Sequence, residues 1–399
     1  MNVQPRKTER IHALDSLRAI MMLLGIVLHT VMTYAHTNYP GWIKDSSAMH
    51  ISNDYIHDVI HSFRMQTFFV VAGFFASLLF YERGPLKMIK NRVSRIVLPF
   101  MVFLIILNPL VMFSFIYSTL VFDGTEQPFS QAIHAVIDLS IIPISTHHLW
   151  FLYYLIMISA ISVGVALLLK KLPAVTRRMS QAFNWVIERP MLRVLIFAAL
   201  TSVVYFIMGA WYVEKFNSFM PNFNALIYYG FFYFVGWILF KSKHQLTQLM
   251  TFDWACAILG LLLYSAYLIY NFIVNPFNLV SHILINSLVV WLFIFGITGL
   301  FIRYASRHSP LMRYISDASY WVYLIHLPLT GLIPGLIADW PLSATLKVVV
   351  VVLITSVICF VTYHYLVRGT FIGKFLNGRK YSKKLSDIKE PEVSVQLNS

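Results

Sequence analysis

Arg18 and His29 lie eleven residues apart within the apolar run LDSLRAIMMLLGIVLHTVMTY, residues 14–34. An α-helix turns about 100° per residue, so eleven residues return to within roughly 20° of the same face, roughly 16 Å further along. The two side chains therefore share one stripe. On a helix crossing a hydrocarbon layer about 30 Å thick, Arg18 stands near one surface and His29 about halfway across. An ionisable group at that depth is costly unless it faces protein interior or a watery cavity, where it can bind ligands or carry protons. A histidine hydrogen-bonded to a neighbouring helix is the plain alternative.

Four further groupings have residue types suited to chemistry. Arg92 and Arg95 in NRVSRIVLP stand one turn apart at the start of an apolar run. With Arg18 they can hold a phosphate-bearing ligand through forked hydrogen bonds, or serve only as topological anchors. The stretch NDYIHDVIHSFRM repeats Asp54, His57, His61 and Arg64 at helical spacing on one face, with Asp58 a turn before His61. Asp and His there suit a polyhydroxylated ligand and Arg64 a carboxylate; a solvated helix face is the alternative. His147, His148 and Trp150 in HHLWFLYY read either as an interfacial aromatic belt or as the rim of a cavity, with Trp150 as a stacking surface for sugar. Tyr323 and His326 in SYWVYLIHLPL lie one turn apart, followed by Pro328, which must free a backbone carbonyl. Two buried histidines point to one polar cavity served by both. No short ligand spacing of the kind that metals require accompanies them.

The elements that must position these residues are membrane helices. Of 399 residues, 58% are hydrophobic, 16% aromatic and only 12% charged. That is more apolar surface than a water-soluble domain of this size can hide. The formal charge of +14 does not point to nucleic acid, because the basic residues fall in alternate loops between apolar runs. Cys256 and Cys359 both lie inside such runs, so no disulfide framework is expected. No small-residue cleavage site follows the first run, which reads as a retained helix.

About ten transmembrane helices are expected, near 14–34, 62–81, 96–120, 148–169, 192–213, 224–240, 253–273, 281–302, 318–338 and 343–367, making an all-α polytopic bundle. Residues 1–376 read as one transmembrane domain and 377–399 as a polar, disordered cytoplasmic tail. Lys and Arg crowd the N-terminus, residues 83–95, 170–178, 241–243 and 303–313, and the tail, whereas the intervening loops hold few. That alternation places both termini in the cytoplasm. Gly73 in VAGFF reads as a point of close helix packing.

In this order and register, Arg18 with His29, Arg92 with Arg95, FFVVAGFF, HLWFL and SYWVYLIH resemble the signatures of the membrane-bound acyltransferase 3 family over nearly the whole chain. LDSLRAIMMLLGIVLHT, NDYIHDVIHSFRMQTFFVVAGFF, HHLWFLYY and YLIHLPLT resemble in particular the branch that succinylates osmoregulated periplasmic glucans. One departure is the segment YLVRGTF at 365–371, where many members carry an acidic residue followed by arginine and proline.

The resemblance implies an O-acyltransferase of the bacterial inner membrane. Acyl-CoA, as succinyl-CoA, would be the co-substrate on the cytoplasmic side, held by Arg18, Arg92 and Arg95, with no tightly bound cofactor or metal. A periplasmic glucan or other polysaccharide would meet His61, Arg64, His148 and Trp150 on the outer side. His29, oriented by His326 or Tyr323, would act as general base or transient acyl carrier, and Arg64 would meet the carboxylate of a dicarboxylic acyl group. Two rivals stand beside this reading: O-acetylation of another surface polysaccharide, and a proton-coupled transporter, which would need neither the paired arginines nor a histidine on their stripe.

Overall fold

The computed structural model describes residues 11–138, 143–213, 217–274 and 277–382. Fourteen α-helices occur among them, and no strand. They are α1 (His12–Thr33), α2 (Ile51–Arg83), α3 (Pro85–Arg92), α4 (Leu98–Phe122), α5 (Pro128–Ile137), α6 (Trp150–Lys170) and α7 (Pro173–Ile187). There follow α8 (Pro190–Met208), α9 (Phe223–Lys241), α10 (Asp253–Ile273), α11 (Leu279–Tyr304), α12 (Pro310–Leu336), α13 (Ala344–Thr362) and α14 (Phe371–Asn377). π-helical turns over Val93–Val97 and Tyr363–Val367 join α3 to α4 and extend α13.

Helix is the physically required form for these apolar stretches, since only it satisfies every backbone donor and acceptor within one segment. The starts are marked in the sequence. Asn222, Asn278, Ser309 and Ser343 cap α9, α11, α12 and α13 with their side-chain oxygens, and proline opens α3, α5, α7 and α8 where a missing N–H costs nothing.

Among the described residues, nine helices are long and apolar enough to cross a membrane. The tenth expected span, 318–338, is the C-terminal part of α12. At 27 residues α12 is long enough, but His326, Pro328, Pro334 and its tyrosines make it less apolar than the others. It sits among α1, α4 and α13 rather than facing lipid on its own. The second span starts earlier than expected, because α2 runs 33 residues and carries Asp54, His57, His61 and Arg64 on its first turns. Gly73 is indeed a packing point: a Cβ there would lie 1.9 Å from the Tyr233 carbonyl oxygen of α9, and one at Gly236 would lie 1.8 Å from that of Val70. Two glycines facing each other let the α2 and α9 backbones touch.

The segments bearing most cations meet at one end of the bundle. Lys243 pairs with Glu82 at 3.0 Å, the His12 and His308 rings stand 5.3 Å apart, and Arg95 reaches the carbonyls of α14. At the start of the expected tail, Tyr381 and Ser382 hydrogen-bond back to Arg368, and Tyr381 also receives a bond from Arg313. The basic residues Arg6, Lys7, Arg10, Lys383 and Lys384 lie outside the described residues.

Candidate active site

At the other end, residues 34–50 fold back over the end of α1. The Asp45 and His50 amides donate to the carbonyls of Thr33 (3.0 Å) and Tyr34 (3.1 Å). Asp54 accepts from the amides of His36 and Thr37, each at 2.8 Å, so its carboxylate is engaged by the chain's own loop and does not face an acceptor. Asp45 forms a 2.9 Å ion pair with Lys347 of α13, both side chains 3% exposed, and Lys347 also donates to the Ala338 carbonyl at 2.8 Å. Burial, with the Asp45 carboxylate nearby, pushes the Tyr34 hydroxyl well above its ordinary range, which keeps it neutral.

Beneath this cap lies a cavity lined by residues of α1, α2, α6, the turn just before α6, and α12, among them His29, Arg64, His148, Trp150, Tyr323 and His326. Six residues from four separate stretches of the chain are thereby brought together. His29 stands one turn before the end of α1. It therefore lies nearer the cap than the halfway depth that the apolar run suggests, and the cap and the first turns of α2 supply its cover. Its ring is 5.3 Å from that of His326 and stacks on Trp42 of the cap at 5.0 Å and 19°. Its Nδ1 is buried with no hydrogen-bond partner among the described residues.

α12 presents His326 in a fixed tautomer. Nδ1 lies 2.7 Å from the Tyr323 carbonyl and 3.2 Å from that of Val322. Facing two acceptors it must carry the proton, which leaves the lone pair on Nε2, buried and without a partner among the described residues. Pro328 has no N–H for the carbonyl four residues earlier, that of Leu324, and His148 Nε2 takes up that freed acceptor at 3.0 Å. In return the Tyr323 hydroxyl donates to the His148 carbonyl at 2.7 Å. This reciprocal tie seats His148 5.4 Å from the His326 ring. Tyr323 thus acts on His148, and the imidazole closest to His29 is His326.

Gly25 makes room for the pair. A Cβ there would lie 2.8 Å from an Arg64 guanidinium nitrogen and 3.2 Å from His326 Nε2. Arg64 forms no ion pair among the described residues, and its Nε is buried without a hydrogen-bond partner. Trp150 closes the cavity with its ring tilted 5.6 Å from Tyr229. His61, one turn away on α2, is exposed and stacks 5.5 Å from His57, which bonds Asp58 at 2.9 Å. It stands outside the residues lining the cavity. Among the described residues no three His, Cys, Asp or Glu come together to hold a metal ion.

The expected arginine trio separates. Arg18 lies 3.4 Å from the Asp15 carboxylate and over the Phe75 ring, with a side chain 36% exposed. Arg92 sits beside Arg18 and the Tyr233 hydroxyl, with Nε buried and without a partner among the described residues. Arg95 instead donates to the carbonyls of Lys374 and Phe375, both at 3.1 Å, and so fastens α14. Trp42, Lys347 and Gly25 were missed by sequence reasoning. Lys347 alone left a signal, as a lone cation inside an apolar run, and Trp42 in a polar loop left none.

A family profile described as Acyltransferase domain, that of the acyltransferase 3 family, matches residues 11–364. Glucans biosynthesis protein C of Escherichia coli O17:K52:H18 is 26% identical over 351 residues, covering 82% of this chain and 84% of that protein. The proteins of the same name from Salmonella typhi and Salmonella typhimurium are each 27% identical over 338 residues, covering 80% of this chain and 82% of theirs. No solved structure matches the chain. A profile spanning most of the chain, together with a bundle of helices long and apolar enough to cross a membrane, leads to one conclusion: the chain belongs to the acyltransferase 3 family and is a multi-pass membrane acyltransferase.

Proposed function

We propose that the protein transfers a succinyl group from cytoplasmic acyl-CoA to hydroxyls of osmoregulated periplasmic glucans in the bacterial inner membrane. The observation that carries the reading is the His29 and His326 pair facing one cavity beside an arginine that has no acidic partner among the described residues. The basic end of the bundle is cytoplasmic by the positive-inside rule, so Arg18 and Arg92 meet the phosphates of the donor there. The capped end is then periplasmic, where the glucan approaches.

His29 takes the proton of the attacking sugar hydroxyl. His326, with its lone pair held on Nε2, faces the same cavity and orients His29. The hydroxyl oxygen bonds to the acyl carbon, the carbon–sulfur bond breaks, and the proton passes to the leaving thiolate. A half-buried guanidinium without a counter-ion favours an anionic substituent, and the distal carboxylate of a dicarboxylic acyl group supplies one. Its relatives' name, Glucans biosynthesis protein C, supports a glucan as acceptor.

Mass spectrometry of periplasmic glucans from cells with and without the gene tests this. Loss of succinyl substituents is expected on deletion, restored by the wild-type chain and not by His29→Ala. Unchanged glucans would overturn the acceptor and direct the search to acetylated surface polysaccharides.

A further inference from the structure

The cap formed by residues 34–50 is built, and its one tryptophan rests on His29. Trp42 stacks on His29 at 5.0 Å and 19°, meets the Phe115 ring edge-on at 4.9 Å, and donates from Nε1 to Thr33 Oγ1 at 3.2 Å. Below it, Leu28, Met32 and Ile60 form an apolar cluster against which Tyr39 and Trp42 pack. The flank of the cap is pinned by the buried Asp45–Lys347 pair, and its start by Asp54. The indole thus contacts both α1 and α4 and holds the ring of His29 in one orientation from the cap side.

From this placement we infer that Trp42 is a positioning residue that shields His29 from water and so confines the acyl group to a sugar hydroxyl. The inference rests on the acyltransferase reading. The need is chemical. A base that can deprotonate a sugar hydroxyl can equally deprotonate water, which would attack the same carbonyl and release a free carboxylic acid and the thiol of CoA. Both attacks break the same carbon–sulfur bond, and only the identity of the attacking oxygen separates a product from a wasted thioester. Excluding water from the site is the available means of discrimination, and an apolar plate over the imidazole does that while leaving the Arg64 and Trp150 side of the cavity for the substrates. Asp45 and Lys347 hold the plate down, because freeing either would leave a charge buried alone.

Two measurements on the purified full chain in lipid nanodiscs test this. The first needs no substrate: carbethoxylation of histidines by diethyl pyrocarbonate, read peptide by peptide, with the exposed His36 and His50 as internal references. His29 is expected to react slowly in the wild type and severalfold faster in Trp42→Ala, with Trp42→Phe close to wild type. The second follows CoA release from succinyl-CoA with and without glucan. Release without acceptor is expected to rise severalfold in Trp42→Ala, while ester formed per CoA released falls. Asp45→Asn, which loosens the cap and leaves Trp42 in place, shifts both readouts in the same direction and serves if Trp42→Ala does not fold. Labelling of His29 that is unchanged between wild type and the variants, or an unchanged ratio of ester to CoA, overturns the shield. A wild type that releases no CoA with glucan present overturns the donor and acceptor reading instead, and the labelling result then decides the shield by itself.

Discussion

At the basic end of the bundle four arginines are in use. Arg303 grips Asp253 at 2.7 Å, Arg313 grips Asp317 at 3.0 Å, Arg95 holds two carbonyls of α14, and Arg193, wholly buried, donates to the carbonyls of Gln248 and Thr251 at 2.7 Å each. In the cavity under the cap, Arg64 has no ion pair among the described residues and stands beside two imidazoles with unpartnered ring nitrogens. The same guanidinium serves opposite ends. Where it holds carbonyls or a carboxylate it is a clasp that ties elements together. Where it holds neither, the cost of drawing it out of water is recovered only when a ligand arrives, which is the arrangement expected of a binding site.

The largest test of that contrast removes the cavity's base. His29→Ala is expected to lower transfer by about 10²–10⁴-fold, the usual worth of general acid–base catalysis, with insertion and thermal stability intact. Full activity in a glucan ester assay would move the chemistry away from the pair. Next comes the pin of the cap. Asp45→Asn or Lys347→Met breaks a buried pair and should cost about 3–5 kcal/mol in thermal unfolding, whereas replacing both by apolar residues together should recover most of it. If the single replacements are silent, the cap is held by packing alone.

A smaller effect separates the substrates. Arg64→Met should cost about 1.5–3 kcal/mol, or roughly 10- to 100-fold in kcat/KM, with a dicarboxylic donor, and little with an acetyl donor. Equal losses with both would make Arg64 part of the frame. The smallest divides the two arginines of one motif. Arg92→Ala should raise the KM for acyl-CoA severalfold, while Arg95→Ala should leave KM unchanged and lower stability by about 1 kcal/mol through loss of its carbonyl contacts. Reversed effects would return Arg95 to the donor site.

Much of the architecture was legible from residues alone. The expected spans became helices because apolar runs of that length have no other way to satisfy their backbones. α12 is a helix as expected, but it falls short of its neighbours in apolarity and is not among the nine helices long and apolar enough to cross, since its glycines, prolines and polar residues face other helices. Gly73 declared its packing role, and Pro328 its freed carbonyl, but nothing in the sequence says that the donor is His148. His29, Arg64, His148, Trp150, Tyr323 and His326 were all candidates, and the cavity does collect them. Arg95 and Asp54 were equally plausible and are held by the chain's own backbone.

Helix length, caps and the stripe shared by Arg18 and His29 follow from local spacing, because a helix couples only residues within a turn or a few turns of each other. The pairing of Asp45 with Lys347, 302 residues away, the seat of Trp42 on His29, and the gathering of Arg64 with His29 and His326 around one cavity are long-range contacts. No period or propensity encodes such contacts. They were decided only when the bundle closed and each polar group took up, or failed to find, a partner among its new neighbours.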